Sequence, residues 1–207
     1  MNFSHQSPTW LALGDSYTIG EGVAPDERWP TQLAHRHDFA LPDYLAKTGW
    51  TTVDLLEAIE HADEHAELSE KYDWVSVLIG VNDQYDGLSI EQFRRGFNQI
   101  LDFAVGKAAT PRRVIVLTIP DYSVTPFVKD SKPEVIAQAV AQFNAVISDT
   151  VRTKSVRYCD ITALSQRAAH DAALLVADGL HPSGEMYQTW AEKVTYDIIL
   201  PDSESAR

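Results

Sequence analysis

The stretch Trp10-Leu11-Ala12-Leu13-Gly14-Asp15-Ser16-Tyr17-Thr18-Ile19-Gly20 decides the fold. Its apolar run stops at Gly14-Asp15-Ser16, and a polar, glycine-bearing turn follows. A strand buried on both faces reads as such a continuous run rather than as an alternation. The stretch is therefore read as a parallel strand with a hydroxyl at its carboxyl end, the edge where ligands gather in open α/β sheets. A serine after a strand is also a common helix N-cap. The rest of the chain must distinguish the two.

Outward from this strand, two kinds of segment alternate. Pro25 to His37 predicts a helix with Trp29, Leu33 and His37 on one face and Pro30 near its first turn. Phe39 to Lys47 is a weak strand candidate. Thr48-Gly49-Trp50 turns the chain into a helix capped by Thr51 or Thr52, with Leu55, Leu56, Ile59 and Ala62 at helical spacing. Trp74 to Ile79 is a buried strand ended by Gly80-Val81-Asn82-Asp83. Ser89 and Gln92 form a capping box before the stripe Phe93, Phe97, Ile100, Leu101 and Ala104. Arg113 to Ile119 is the next strand, Asp121 to Lys132 an irregular loop, and Pro133 sits early in a long helix. Val156 to Ile161 reads as the last strand, and Ala168 to Val176 as partly helical. Ser183 then caps a terminal helix that buries Tyr187, Trp190, Val194 and Ile198.

Strand and helix alternate about five times, which predicts an α/β fold: a three-layer α/β/α sandwich around a mostly five-stranded parallel sheet, flavodoxin-like in plan. One domain spanning residues 1–207 is expected, with residues 1–8 and 201–207 as frayed ends.

A composition of 44% hydrophobic and 23% charged residues is that of a soluble globular protein. The formal net charge of −13 argues against nucleic-acid partners and anionic membranes, since both demand clustered Lys and Arg. Met1 to Pro8 lacks the basic segment of a secretory leader, and no apolar run spans a bilayer, so no membrane insertion is expected. Cys159 is the only cysteine and reads as a small buried hydrophobe. Cytoplasm is the expected compartment. Oligomeric state is not legible.

Four short stretches carry chemistry. Ser16 follows the first strand, Gly49 the second candidate, Asn82 the third, and Asp178 and His181 share the loop before the last helix. A serine hydrolase needs a hydroxyl, a base, an orienting carboxylate and donors for the developing oxyanion. Gly14-Asp15-Ser16-Tyr17, Gly49, Gly80-Val81-Asn82-Asp83 and Asp178-Gly179-Leu180-His181-Pro182 resemble, in order, the four blocks of the SGNH hydrolases, or GDSL-type esterases and lipases. Tyr17 stands where the family's traditional name has Leu, and the block around Gly49 is the loosest match.

The resemblance implies that Ser16 is the nucleophile, His181 the general base, and Asp178 the carboxylate that fixes the imidazole tautomer. It implies an oxyanion hole made of the Ser16 and Gly49 N–H groups and the Asn82 amide. Glycine at the second position is expected to admit the oxyanion without a Cβ in the way. Asp15 and Asp83 are read as structural. The expected activity is hydrolysis of short- to medium-chain acyl or acetyl esters through an acyl-enzyme, with a small-molecule ester as partner. Acyl transfer by the same intermediate and a non-catalytic flavodoxin-like binding module are the alternatives. Tyr17, Ile19, Trp50, Val81, Tyr85, Tyr122, Phe127 and Leu180 are candidate pocket residues. His61 and His65 have metal-ligand spacing, but no metalloprotease pattern accompanies them. No cofactor and no metal are implied.

Overall fold

Every residue of the strand Trp10–Gly14 (β1) is buried in the computed structural model, which describes residues 7–199. β1 pairs in parallel with Asp43–Ala46 (β2) on one side and Trp74–Leu78 (β3) on the other. Val114–Leu117 (β4) and Arg157–Cys159 (β5) extend the sheet, giving five parallel strands in the order β2-β1-β3-β4-β5. The chain moves one way from β1 to β2 and the other way from β3 onward. Connections leaving β1 and β3 therefore diverge and open a crevice at their carboxyl ends.

The helices are, in chain order, Ser16–Ile19 (α1), Trp29–Arg36 (α2), Thr52–Glu64 (α3), Val81–Tyr85 (α4), Ile90–Lys107 (α5), Pro133–Lys154 (α6), Thr162–Ser165 (α7) and Gly184–Val194 (α8). α2 packs on α8, whereas α3 packs on α5 and α5 on α6. Helices cover both sides of the sheet. Local chemistry starts the main ones. Thr51 and Asp54 form a capping box for α3, as Ser89 and Gln92 do for α5, and Ser183 accepts from Met186 N at the start of α8. Phe93, Phe97, Ile100, Leu101 and Ala104 of α5 are all buried, as their spacing predicts.

Several boundaries differ from the sequence reading. The helix expected over Pro25–His37 is a 3₁₀ turn at Pro25–Glu27, an extended Arg28, and α2. Pro30 has no N–H for the carbonyl of Asp26 and its ring clashes there, so the helix begins where Pro30 falls in its first turn. The strand expected over Arg113–Ile119 starts one residue later, after a 3₁₀ turn at Pro111–Arg113. Ile161 is not in β5 but precedes α7. α8 ends at Val194, and Ile198 is buried from a π-helical turn beyond it. Ala168–Val176 contains only 3₁₀ turns and a bridge from Leu175 to Pro182. The ends expected to fray lie outside the described residues, except positions 7 and 8; Pro8 accepts from Ala40 N. Among the described residues no helix is long and apolar enough to cross a membrane.

Candidate active site

The crevice is built from the ends of β1 and β3. At Gly14 the two strands and α1 come so close that a Cβ would stand 2.3 Å from the Leu78 carbonyl oxygen and 2.2 Å from Thr18 Oγ1. Only glycine lets the chain turn there. Asp15 is the N-cap of α1: its Oδ1 accepts from Tyr17 N at 2.9 Å. The innocent reading of Ser16 as a cap is thereby excluded, because Ser16 is the first helical residue and its hydroxyl is left for another partner.

That partner is the His181 ring. Nε2 lies 2.9 Å from Ser16 Oγ across 165 residues of sequence, and Nδ1 lies 2.6 Å from Asp178 Oδ2. Asp178 Oδ1 also accepts from Leu180 N and His181 N, at 2.8 and 2.9 Å. Backbone bonds close the loop beneath: Val176 N donates to His181 O, Gly179 N to Val176 O and Ser183 N to Leu174 O. One short clamp thus holds both the carboxylate and the imidazole. Partial burial of the Asp178 carboxyl raises its pKa, but the His181 ring and the two N–H donors outweigh this and hold it below its ordinary value. The Tyr17 ring packs against the imidazole at a tilt of 49°, with centroids 5.3 Å apart.

Gly49 ends a turn closed by Trp50 N donating to Lys47 O, and anchored where Thr48 donates to Glu21. The need for glycine is conformational: φ is +84°, whereas a Cβ there would meet nothing within 4 Å. Asn82 Nδ2 donates to the Trp50 carbonyl at 2.8 Å. This orients the amide and leaves its second N–H without an acceptor among the described residues. The N–H groups of Ser16 and Gly49 donate to no protein acceptor among the described residues.

Ser16, Gly49, Asn82 and His181 line one cavity of about 150 Å³. Of the candidate pocket residues, Tyr17, Val81, Tyr85, Tyr122, Phe127 and Leu180 line it as well. Ile19 and Trp50 do not. Ile19 ends α1, three residues along from Ser16, and Trp50 supplies its carbonyl to Asn82. Thr48 was missed, as were the supports Glu21, Thr52 and Gln84. Thr52 reads in sequence as a possible cap, and only the fold turns its N–H onto Asp83 Oδ2 at 2.9 Å.

Asp15 and Asp83 stand behind the site, and both accept backbone N–H bonds, as expected of structural carboxylates. Full burial pushes the Asp15 carboxyl up to about 8, against the Tyr17 bond and with help from nearby Asp83. Its folded value is above its unfolded value, so its stabilising contribution is complete below the ordinary carboxylate range and is lost as pH rises to about 8. Asp15→Asn keeps the cap and stays neutral. Its melting temperature relative to the parent should therefore be higher at pH 9 than at pH 5 by several degrees, since ~1 kcal/mol moves the midpoint by about 2–4 °C at this size. An equal difference at both pH values would refute the assignment.

Cys159 is buried in β5, and burial pushes its thiol up to about 12, so it is no nucleophile near neutral pH. The His61 and His65 rings stack 4.2 Å apart at the end of α3. Among the described residues no three His, Cys, Asp or Glu side chains are grouped as metal ligands.

A family profile described as GDSL-like Lipase/Acylhydrolase family matches residues 12–189. No curated protein matches the sequence. Similar solved structures include a lipolytic protein of the G-D-S-L family from Veillonella parvula DSM 2008, 16% identical, with a TM-score of 0.72 over 91% of this chain and 96% of that one. The psychrotrophic esterase EstA from Pseudoalteromonas sp., in a structure inhibited by monoethylphosphonate, is 16% identical, with a TM-score of 0.71 over 96% of this chain and 100% of that one. A variant of Axe2, an acetyl-xylooligosaccharide esterase from Geobacillus Stearmophilus, is 17% identical, with a TM-score of 0.69 over 93% and 94% of the two chains. At these identities the likeness is one of fold.

Proposed function

This chain belongs to the GDSL-like lipase/acylhydrolase family, and from that premise we propose that it is a serine esterase acting through an acyl-enzyme on Ser16. The observation that carries the reading is the unbroken chain from Asp178 Oδ2 through the His181 ring to Ser16 Oγ, opening on a cavity beside two unclaimed N–H groups. Ser16 Oγ attacks the ester carbonyl carbon while its proton passes to His181 Nε2. Asp178 accepts from Nδ1–H and stabilises the imidazolium. The carbonyl oxygen becomes an oxyanion that receives the Ser16 and Gly49 N–H groups and the free N–H of Asn82. The carbon–oxygen bond to the alcohol then breaks, and the alcohol leaves with the proton from Nε2. Water attacks the acyl-enzyme by the same route and releases the acid.

A cavity of about 150 Å³ walled by Val81, Tyr122 and Leu180 suits short- to medium-chain acyl or acetyl groups. With Cys159 its sole cysteine, the chain needs no disulfide, which fits a reducing, cytoplasmic setting.

A fluorophosphonate probe tests the proposal. Stoichiometric labelling should map by peptide sequencing to Ser16, and a label found elsewhere, or none, would overturn it. Asn82→Ala should lower kcat on nitrophenyl acetate by about a hundred- to a thousandfold, as loss of one oxyanion donor does. A loss of only about threefold would remove Asn82 from the oxyanion hole.

A further inference from the structure

We propose that Tyr122 is the residue that sets acyl-chain length, its ring being the partition between the catalytic cavity and the groove beyond it; this rests on the esterase reading above. Tyr122 borders three spaces. One is the catalytic cavity of about 150 Å³. The second is a void of about 10 Å³ beneath it, shared with Tyr17 and Leu180. The third is an outer groove of about 360 Å³ that shares Tyr85, Tyr122 and Phe127 with the cavity and continues over Val135 and Ile136.

The partition is rigid. Tyr122 is 3% exposed, and its hydroxyl donates to Gln84 Oε1 at 2.6 Å. Gln84 lies in α4, the helix that carries Asn82. The Tyr122 carbonyl accepts from Thr125 N at 3.1 Å and from Thr125 Oγ1 at 2.7 Å. Just before it, Asp121 N donates to Ser165 Oγ, and the Asp121 carboxylate accepts from Ser123 N and Gln166 Nε2. A ring tied at both ends is a wall, not a flap.

Tyr85 and Phe127, which border both spaces, and Val135, in the groove alone, leave large apolar side chains in solvent, at 61%, 46% and 59% exposure. The Tyr85 and Phe127 rings face each other with centroids 6.0 Å apart. Past Tyr122 the groove, bordered also by Gln84, Ser131 and Lys132, offers the apolar side chains of Val135 and Ile136 to the distal methylene groups of a straight acyl chain whose carbonyl lies at Ser16. With the phenol ring in place the chain stops short of the groove. Without the ring, cavity and groove become one channel.

The test compares kcat/KM on nitrophenyl octanoate with kcat/KM on nitrophenyl acetate in one preparation, so that the active fraction cancels. In Tyr122→Ala the octanoate-to-acetate ratio should rise by about tenfold or more, because one methylene in an apolar pocket is itself worth about 10- to 200-fold. Tyr122→Phe keeps the ring, and its ratio should stay within about twofold of the parent. Tyr122→Leu retains apolar packing if the alanine variant fails to fold, and its ratio should move in the same direction. An unchanged ratio in a variant that still takes the phosphonate label at Ser16 would overturn the partition and leave the esterase reading standing. A parent that neither labels nor hydrolyses either ester would overturn both.

Discussion

Ser16→Ala is expected to lower kcat/KM on nitrophenyl acetate by about a millionfold, with an unchanged melting temperature. The size follows from removing the proposed nucleophile: where hydroxyl, imidazole and carboxylate act together, loss of one member costs nearly as much as loss of all. The fold should tolerate the change because Asp15, not Ser16, caps α1. Alanine is a good helix former, and it fits the backbone at the first helical position. The residual rate would reflect substrate binding and the N–H groups of residues 16 and 49 acting on water. Hydrolysis within about tenfold of the parent would assign the chemistry to another residue.

Asp178→Asn is expected to cost about ten-thousandfold in kcat while KM changes little. Asparagine retains an oxygen for Leu180 N and His181 N, so the loop should hold. Its amide nitrogen would occupy the place of Oδ2, 2.6 Å from Nδ1. An amide N–H₂ only donates, so the ring must offer its lone pair at Nδ1 and carry its proton on Nε2, facing Ser16. The hydroxyl then has no base. The parent's Asp178 carboxyl is held below its ordinary value by the His181 ring and the two N–H donors, so it remains the ionised partner of the ring through the ordinary carboxylate range. A drop smaller than about tenfold would mean that the ring is oriented by its packing on Tyr17 instead.

Much of this was legible because the signals are local. The apolar run of β1, the cap at Thr51 or Thr52, the capping box at Ser89, and the Asp178–His181 pair each lie within a few residues. Residues that close together are coupled by backbone geometry alone. The misread parts are those where neighbours in space overrule neighbours in sequence. The φ of +84° at Gly49, a conformational demand for glycine, is not read from the residues around it. Trp50 was assigned to the pocket wall, yet its role is a carbonyl offered to Asn82.

Periodicity and short-range hydrogen bonding, both written along the chain, dictate the alternation of strands and helices and supply the inventory of hydroxyl, imidazole, carboxylate and amide. Which of these groups meet is settled by packing between distant elements. Ser16 and His181, 165 residues apart, touch because β1 lies inside the sheet between β2 and β3 and α8 packs back on α2, bringing the last loop to the end of the first strand. Tyr122 becomes a wall for the same reason: its bond to Gln84 depends on β4 lying beside β3, a pairing set by packing across the whole sheet and carried by no local pattern.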